Sequence, residues 1–399
     1  MFKAPRGTKD ILPEESYKWQ NIENIGRKIF SLYGYQEIRT PVIEDIELFK
    51  RSLGAHTEVV EKQMFVIPRD EENYVLRPEA TASIVRAYLE NSLENKAGFS
   101  KFFYIGPMFR AERPQKGRLR QFHHLGVEAI GAKDPYLDAE VINLATKLLL
   151  EFGIDGYEFK LNTLGCPEDK KKFAEILRKV LKNEINHFCP DCQNRYTRNV
   201  FRILDCKNEA CRALIQKIKI DYKEYLCKDC LSYFQDLKNI LDFSKIKYII
   251  TPHLVRGLDY YTGTVFEISH PDLGSQDALG AGGRYDGLIK ELGGKEIPAI
   301  GFAFGMERLL LVKSLKVESL KERPNLNTYL ITLGQKTKAK GFILLDQMRS
   351  AGISCEMDYE NKSLKAQLRK ANDLGVDFVI ILGEDELKKD TLILKNMVS

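Results

Sequence analysis

Hydrophobic and polar positions along the first quarter of the chain alternate between helical and extended spacing. Residues 16–34 predict a helix, because their apolar side chains recur three or four positions apart and Gly34 is a typical helix terminator. Residues 35–45 predict a strand interrupted by Pro41, and residues 75–90 predict a turn that leads into a helix. These elements indicate a domain that mixes helices with a sheet.

Two apolar segments then flank a basic one. Residues 101–109 and 121–131 predict the strands of a hairpin, whose connection of about ten residues is longer than the usual two to five. This connection holds five cations in eleven residues, and only Glu112 has the opposite charge. Clustered guanidinium groups repel one another, so they are tolerated where water screens them or anions bind. Arg110 directly follows an apolar strand, which favours a place on the sheet over a solvated loop.

The β-rich pattern is interrupted further along the chain. Helical periodicity with many lysines and cysteines predicts a helical insertion at about 168–245 within a larger domain, 1–322. After a polar linker, alternating strands and helices predict a small α/β unit with a mostly parallel sheet at 326–399. This unit ends in a predicted strand without a closing helix, so we expect it to be truncated at its C-terminus.

The composition is ordinary for a soluble globular protein. The chain has 399 residues, of which 44% are hydrophobic and 29% charged, with a net charge of +5. This charge permits a nucleic-acid partner without requiring one. No apolar segment has the length of a signal peptide or a membrane span, so we expect a cytoplasmic protein that does not bind a membrane.

No glycine-rich phosphate loop accompanies the basic segment. GGKE at 293–296 fails the P-loop pattern at its last position, and LGAGGRYDG at 279–287 has Tyr285 where the dinucleotide fingerprint requires glycine. Phosphates would therefore be bound by arginine side chains on a sheet, which suits the geometry of guanidinium groups.

Several segments resemble motifs of a known enzyme family. FRAE, the basic loop and QFHHLGVE resemble motif 2 of class II aminoacyl-tRNA synthetases, GFAFGMERLLL resembles motif 3, and the segment around Pro41 resembles motif 1, which carries the dimer interface. LVRGLDYYTGTVFE and AGGRYDGL resemble the two signatures of histidyl-tRNA synthetases, whose opening and substrate loop resemble APRGTKDILPEE and LRPEATA. The resemblance covers nearly the whole chain. It implies an α+β fold with an antiparallel class II catalytic sheet, a helical insertion and a C-terminal α/β anticodon-binding domain.

The resemblance also implies a reaction and its partners. Histidine would be activated with ATP to histidyl adenylate and pyrophosphate and then transferred to the 3′ end of tRNA(His), with Mg²⁺ as cofactor, in a homodimer. Arg110 and Arg256 would contact the α-phosphate, and Arg308 would join them as the third catalytic arginine, because fixed cations stabilise the charge of the transition state. For the rest of ATP, the resemblance implies that Arg118 and Arg308 hold the γ-phosphate. Glu112 would accept from the adenine amino group, and Phe122 would stack on the adenine ring. With Arg110 at the α-phosphate, these are the implied ATP contacts.

A histidine pocket is implied beside these arginines. Glu128 and Tyr261 would contact the two ring nitrogens, and Glu79 and Thr81 would lie on the side of the α-ammonium. The residues implied for histidine binding are Glu79, Ala80, Thr81, Arg110, His124, Glu128, Arg256, Tyr260, Tyr261 and Tyr285. His124 departs from the family, which usually has glutamine there, although a neutral imidazole can still donate or accept. His123 and His124 are not expected to share a metal, because adjacent strand residues face opposite ways.

Seven of the eight cysteines lie between Cys166 and Cys230. In a reducing compartment this clustering favours metal ligation or buried thiols over disulfides. The outer pairs have the spacing of a zinc ribbon, which makes them candidates for a structural Zn²⁺ site: Cys189, Cys192, Cys227 and Cys230. The family does not generally need zinc, so reduced thiols that pack the insertion are the alternative.

Three other classes of protein compete with this interpretation. A regulatory paralogue that binds histidine usually lacks the anticodon-binding unit and loses arginines or the RGLDYY signature, all of which this chain keeps. Class II ligases for proline, threonine or glycine share motifs 2 and 3 but lack RGLDYYTG. A pure nucleic-acid-binding module would explain the basic loop but not Glu79, Glu128 and the two tyrosine signatures.

Overall fold

The chain forms two compact units, Met1–Val317 and Glu318–Ser399. The computed structural model of the protein describes residues 2–54, 57–69, 72–96, 98–315 and 326–397. Across these ranges no helix is both long enough and apolar enough to cross a membrane.

Both units contain strands and helices. The strands are β1 (Gln36–Glu37), β2 (Ile43–Asp45), β3 (Phe65–Arg69), β4 (Glu72–Leu76), β5 (Ser100–Phe109), β6 (Gln121–Ile130), β7 (Glu158–Thr163), β8 (Ile249–Ile250), β9 (Thr262–Ser269), β10 (Ala278–Arg284), β11 (Ala299–Gly305), β12 (Thr328–Thr332), β13 (Cys355–Met357), β14 (Phe378–Leu382) and β15 (Ile393–Asn396). The α-helices are α1 (Pro13–Leu32), α2 (Ile46–Leu53), α3 (Thr81–Glu90), α4 (Pro135–Glu151), α5 (Pro167–Leu181), α6 (Pro190–Arg198), α7 (Phe201–Leu204), α8 (Glu209–Ile215), α9 (Lys228–Phe243), α10 (Leu288–Glu291), α11 (Met306–Leu309), α12 (Gln335–Ser350), α13 (Leu364–Asp373) and α14 (Glu384–Lys389).

The large sheet of the first unit has the strand order β1-β5-β6-β11-β10-β9-β7-β8. Its neighbours are antiparallel except for the edge pairs β1–β5 and β7–β8. The antiparallel sheet expected from the sequence is therefore confirmed. The segment predicted as one interrupted strand around Pro41 instead divides between two sheets, because β2 pairs with β4 in a separate three-stranded sheet.

Three helices cover one face of the large sheet. α1, α4 and α9 share a hydrophobic core with strand side chains that include Val127 and Phe266. In α1 the helical spacing buries Ile22 and Ile29, whereas Leu32 at the end of the helix is exposed. The apolar stripe of α1 therefore fixes this helix on the sheet.

A buried ion pair joins α4 to the same sheet. The Nε atom of Arg284 in β10 lies 2.7 Å from Asp138 Oδ1 in an ion pair, and the two side chains are 1% and 0% exposed. Thr264 of β9 donates to the other carboxylate oxygen at 2.6 Å. Removal of either charged partner would leave an unpaired buried charge, which is strongly destabilising. The arginine of the AGGRYDG signature thus has a structural role.

Helices α5 to α9 follow β7 and precede β8 along the chain, and these two strands pair in parallel. Helix α9 belongs to the first core, whereas α5 to α8 share a second hydrophobic core with residues of the main unit. Phe173 of α5 and Ile203 of α7 belong to this core together with Val85 of α3 and with Tyr260 and Tyr285. The helical segment and tyrosines of the predicted site therefore belong to one hydrophobic core.

The second unit is a four-stranded sheet in the order β13-β12-β14-β15. The first three strands are parallel, and β15 pairs antiparallel with β14. α13 contributes Ala371 to a core with Tyr329 and Ile331, whereas α12 contributes Leu345 to a core with Leu330. Because successive strand residues face opposite ways, the two helices cover opposite faces of the sheet.

Candidate active site

A cleft lies on the face of the large sheet that α1, α4 and α9 leave open, and its cavity has a volume of about 200 Å³. In β6 the side chains alternate, so that Phe122, His124 and Glu128 line the cleft while Leu125 and Val127 are buried in the core. The sequence-predicted residues that line it are Glu79, Thr81, Arg110, Glu112, Arg118, Phe122, His124, Glu128, Arg256, Tyr260, Tyr261, Tyr285 and Arg308. The structure thus brings together residues from five separate segments of the chain.

Ala80 is the histidine-site residue of the prediction that does not line the cleft. It lies immediately before α3 and is buried against Ile84, Tyr104 and Met108. Its small side chain is buried within this cluster, so its contribution is one of packing.

Two glycines leave room for side chains at the base of the cleft. Gly301 of β11 pairs with Glu128, and a Cβ at this glycine would overlap the Glu128 carboxylate. Gly126 is similarly crowded, since its Cβ would come within 2.6 Å of the Tyr104 hydroxyl and the Phe302 carbonyl oxygen. The glycines therefore provide the room in which the buried carboxylate and hydroxyl lie.

Glu128 is the central acceptor at the inner end of the cleft, and it is 2% exposed. Thr81 Oγ1 donates to Glu128 Oε1 at 2.7 Å, and the Tyr285 hydroxyl donates to Oε2 at 2.5 Å. Burial raises the pKa of Glu128 to about 8, although both hydroxyls favour the charged form. Tyr104, which the sequence did not single out, also lines the cleft and hydrogen-bonds Glu128.

Glu79 lies beside Glu128 and is held by the start of α3. Its two carboxylate oxygens accept from the backbone amides of Thr81 at 2.6 Å and Ala82 at 2.9 Å. These are the free amides of a helix N-terminus, where a negative charge is favourable. Burial nevertheless raises the pKa of Glu79, and Arg110 opposes that shift.

Three tyrosines form the wall next to these carboxylates. The Tyr260 ring lies 4.6 Å from that of Tyr261 and 5.7 Å from that of Tyr285, measured between ring centroids. Burial raises the pKa of all three hydroxyls, so they stay protonated at neutral pH and can donate. The inner end of the cleft thus combines carboxylate acceptors with fixed hydroxyls and aromatic rings.

Arg110 and Arg256 occupy the middle of the cleft. Arg110 Nε donates to the Pro78 carbonyl oxygen at 3.0 Å, and its guanidinium lies 5.3 Å from the centroid of the Phe122 ring. Arg256 Nη1 donates to Glu267 Oε2 at 2.7 Å. Each guanidinium is therefore held on one side and keeps other donors for a ligand. Burial lowers the pKa of Arg110; it acts to lower that of Arg256 too, but Glu267 outweighs it.

Arg118 and Arg308 lie towards the outer end. Arg118 forms an ion pair with Glu112, and Arg308 donates from Nε to the Gly117 carbonyl oxygen at 2.9 Å and from Nη1 to the Ala278 carbonyl oxygen at 2.6 Å. Burial lowers the pKa of Arg308 to about 10, and the charges of Arg118 and Arg110 add to this effect. Mutual repulsion of these cations favours a bound anion.

The two adjacent histidines face opposite sides of β6, as expected. His123 Nδ1 lies 2.9 Å from Glu307 Oε1, and its ring meets that of Trp19 on the core side. His124 lines the cleft, where burial and the charges of Arg110 and Arg308 lower its pKa to about 3. Its imidazole is therefore neutral at physiological pH, and its buried Nδ1 has no hydrogen-bond partner in the described part of the chain.

The loop that carries Arg256 and the tyrosines is held by residues that sequence reasoning missed. Lys170 Nζ donates to the carbonyl oxygens of Asp259 at 2.8 Å and Tyr261 at 3.0 Å. Asn199 Nδ2 donates to Asp259 Oδ1 at 2.9 Å, and Arg202 Nη1 donates to the Gly257 carbonyl oxygen at 2.5 Å. No spacing pattern marks these residues, since their partners lie far away in the chain.

The structure separates the four cysteines that the sequence grouped as one zinc site. Two local pairs, Cys189 with Cys192 and Cys227 with Cys230, lie in different clusters. The first pair meets Cys206 and Cys211, and the second meets Cys166 and Asp169. This corrects the predicted ligand set, because each pair finds its partners in another segment of the chain.

Two family models match the chain. One, described as histidyl-tRNA synthetase, matches residues 7–309, and the other, described as an anticodon binding domain, matches residues 328–399. The histidine–tRNA ligase of Halothermothrix orenii is 47% identical over 396 residues, which are 99% of this chain and 94% of that protein. That of Natranaerobius thermophilus is 46% identical over 398 residues, or 100% of this chain and 94% of that protein.

Solved structures agree with these matches. The crystal structure of apo histidyl-tRNA synthetase from S. aureus has a TM-score of 0.81 and 36% identity, and the match covers 100% of this chain and 95% of that one. A Bacillus halodurans structure named as an ATP phosphoribosyltransferase regulatory subunit/histidyl-tRNA synthetase has a TM-score of 0.69, with coverages of 96% and 98%. Its identity of 24% indicates a likeness of fold alone.

Proposed function

The chain belongs to the histidyl-tRNA synthetase family, and from this premise we propose how its cleft performs the histidine–tRNA ligase reaction. The enzyme activates histidine with ATP and transfers it to tRNA. One observation carries the proposal: a single cleft has arginines along its middle and outer parts and a buried cluster of carboxylates and tyrosines at its inner end. The first part suits a triphosphate, and the second suits an amino acid with a polar ring.

The arginines would stabilise the charge that moves during adenylation. A carboxylate oxygen of histidine attacks the α-phosphorus of ATP, and the bond to the β-phosphate breaks to release pyrophosphate. We assign Arg110 and Arg256 to the α-phosphate, with Arg110 also near the histidine carboxylate. Both guanidiniums are fixed by other protein groups, so little reorganisation is needed in the transition state.

Arg256 offers a specific donor for this role. Its buried Nε has no hydrogen-bond partner among the described residues, although Nη1 is occupied by Glu267. An unsatisfied buried donor is costly unless a ligand completes it. The phosphate or carboxylate of a bound substrate would supply the missing acceptor.

The outer part of the cleft would hold the rest of the nucleotide. We assign Arg308 and Arg118 to the γ-phosphate, Glu112 to the adenine amino group and Phe122 to stacking on the adenine ring. Phe122 lines the cleft with the Arg110 guanidinium 5.3 Å from its ring centroid, which places an aromatic ring beside a cation that would face the phosphates.

The inner part of the cleft would bind the imidazole ring of histidine. Glu128 would accept from one ring N–H, and the Tyr261 hydroxyl would contact the other ring nitrogen, while Tyr260 and Tyr285 enclose the ring. Glu79 and Thr81 would lie near the α-ammonium, with the neutral His124 as a further polar contact. An apolar isostere of histidine would leave these buried groups unpaired, so it should be rejected strongly.

We further propose that ATP is used with Mg²⁺, that the enzyme is a homodimer and that it works in the cytoplasm on tRNA(His). In the described cleft, carboxylates are already engaged: Glu79 by amides, Glu112 by Arg118, Glu128 by hydroxyls and Glu307 by His123. The residues present therefore offer no free carboxylate cage for a resident ion. Mg²⁺ would arrive on the phosphates of ATP.

Pyrophosphate exchange into ATP, measured with each amino acid in turn, tests the proposal. We expect exchange with histidine and with no other amino acid. Exchange with proline, threonine or glycine instead would identify a different class II ligase. No exchange with any amino acid would favour a regulatory protein that shares the fold.

A further inference from the structure

The helical segment between β7 and β8 contains a cysteine cluster that the ligase reaction does not use. We propose that Cys189, Cys192, Cys206 and Cys211 form a structural Zn²⁺ site. We further infer that this site fastens α6 and α7 against the loop that carries Arg256 and the tyrosines of the cleft.

The positions of the four sulfur atoms suit one tetrahedral ion. All four lie within 4.8 Å of one another, and the Sγ atoms of Cys189 and Cys206 are 3.9 Å apart. Zinc–sulfur bonds of about 2.3 Å in a tetrahedron place the sulfurs about 3.8 Å apart. A disulfide requires about 2.05 Å, so this pair has the spacing of two ligands of one metal rather than that of a bond.

Local structure explains how the cysteines converge. Cys189 immediately precedes α6 and Cys192 lies in its first turn, which is the arrangement of a zinc-binding C-x-x-C pair. Cys206 follows α7 and Cys211 lies in α8, so the second pair returns to the first across a short helical hairpin. The backbone amide of Cys189 donates to Cys211 Sγ at 3.2 Å, as amides commonly do to metal-bound thiolates.

The surroundings suit the charge of such a site. Zinc binding would release the four thiol protons and leave a complex with two negative charges. The guanidinium of Arg195 lies beside Cys192 and also pairs with Glu58 at 2.5 Å. Cys192, Cys206 and Cys211 are buried, which keeps water away from the ion, and Cys189 is partly exposed.

The second cluster is a weaker candidate, because its carboxylate already has another role. Asp169 Oδ1 accepts from the backbone amide of Cys227 at 2.9 Å, and Oδ2 accepts from that of Cys166 at 3.3 Å. These bonds cap the starts of α5 and α9, which explains the proximity of Cys166, Cys227 and Cys230 without a metal. The proposal therefore commits to the four-cysteine cluster.

Along the chain, the cysteines flank two residues that hold the loop carrying Arg256 and the tyrosines. Between Cys192 and Cys206 lie Asn199, which donates to Asp259, and Arg202, which donates to the Gly257 carbonyl oxygen. Loss of zinc would release both ends of this segment and loosen the loop. The consequence for histidine binding rests on the proposed function, whereas the metal site itself does not.

The metal content of the full-length protein tests the site directly. We expect at least one zinc per chain after purification under reducing conditions, and X-ray absorption should show four sulfurs at about 2.3 Å. The variants Cys192→Ser and Cys206→Ser should each lose one zinc equivalent. Cys227→Ser should keep that equivalent, and so should the matched control Cys355→Ser, which alters a buried thiol in the second unit.

Two results of the metal-content measurement would overturn the site. One is a zinc content near zero that stays there after reconstitution with Zn²⁺; the other is zinc retained in Cys192→Ser and lost in Cys227→Ser. Because the X-ray absorption measurement uses the unaltered protein, it remains decisive if a serine variant does not fold. An oxygen or nitrogen ligand in the zinc shell of a single-zinc protein would also contradict the proposal.

A kinetic measurement tests the link to the loop. In Cys192→Ser we expect the KM for histidine to rise severalfold while the KM for ATP changes less, and the Cys355→Ser control should match the unaltered enzyme. If zinc is lost and the KM for histidine is unchanged, the ion does not support the loop. Since metal content is measured independently, an inactive enzyme would count against the proposed function and not against the metal site.

Discussion

The replacement Glu128→Gln tests how the cleft recognises the imidazole ring. Glutamine keeps the size of the side chain but removes the charge and turns one acceptor oxygen into a donor. The Glu128 carboxylate accepts from Thr81 at 2.7 Å and from Tyr285 at 2.5 Å, and it occupies the room left by the missing side chain of Gly301. The variant should therefore change the hydrogen bond to histidine more than the packing.

The expected loss follows from the value of a charged hydrogen bond. Such a bond contributes about 1.5–3 kcal/mol, so at about pH 9, where Glu128 is ionised, kcat/KM for histidine should fall about 10- to 150-fold. Burial raises the pKa of Glu128 to about 8, so the ionised fraction grows as the pH rises through this value. If the ionised form accepts from the ring, the activity ratio of unaltered enzyme to variant should rise about tenfold between about pH 7 and about pH 9.

Pyrophosphate exchange at low histidine and saturating ATP gives this ratio across the pH range. Titration of histidine itself cancels in the ratio, because both enzymes use the same substrate. Tyr285→Phe is the matched control: it keeps the carboxylate but removes a donor, so the rise should persist and move to higher pH. A ratio that does not change with pH would refute the idea that ionised Glu128 accepts from the ring.

Three further predictions concern other parts of the cleft. Arg256→Ala should raise the adenylation barrier by about 2–4 kcal/mol in single-turnover kinetics, and an unchanged rate with altered tRNA affinity would contradict its assignment. The pKa of His124 is lowered to about 3, so below about pH 6.5 the unfolded chain binds a proton there that the folded chain does not, and stability is lost as the pH falls. Between about pH 7 and pH 5 the melting temperature should therefore fall less in His124→Gln than in the unaltered protein. Equal falls would contradict this. Gly301→Ala should raise the KM for histidine, because its Cβ would overlap the Glu128 carboxylate. The control Gly287→Ala has open space around its Cβ and should leave this KM unchanged. Equal KM values for both variants would contradict the idea that Gly301 makes room for Glu128.

Much of the cleft was predictable because strand alternation and motif spacing are local properties. The alternation of β6 correctly separated the sides of His123 and His124, and the basic connection after Phe109 did belong to a hairpin of the sheet. The large antiparallel sheet and the family were likewise confirmed. These predictions needed only neighbours in sequence and the resemblance of short motifs.

Other features depend on partners far apart in the chain. The pairing of Arg284 with Asp138 makes the signature arginine structural, and no local pattern marks that pair. The same reason explains the cysteines: C-x-x-C spacing identified two pairs but could not tell that Cys206 and Cys211 complete the first one. Pro41 was recognised as an interruption, but its separation of two different sheets required the tertiary structure.

The central claim is that arginines fixed on this sheet hold the triphosphate while Glu128 and the tyrosines hold the imidazole. A crystal structure of the protein with histidine and a non-hydrolysable ATP analogue tests it most directly. We expect Arg110 and Arg256 on the α-phosphate, Arg308 on the γ-phosphate and the imidazole N–H on Glu128. Bound phosphates from which all three guanidiniums point away would contradict the account.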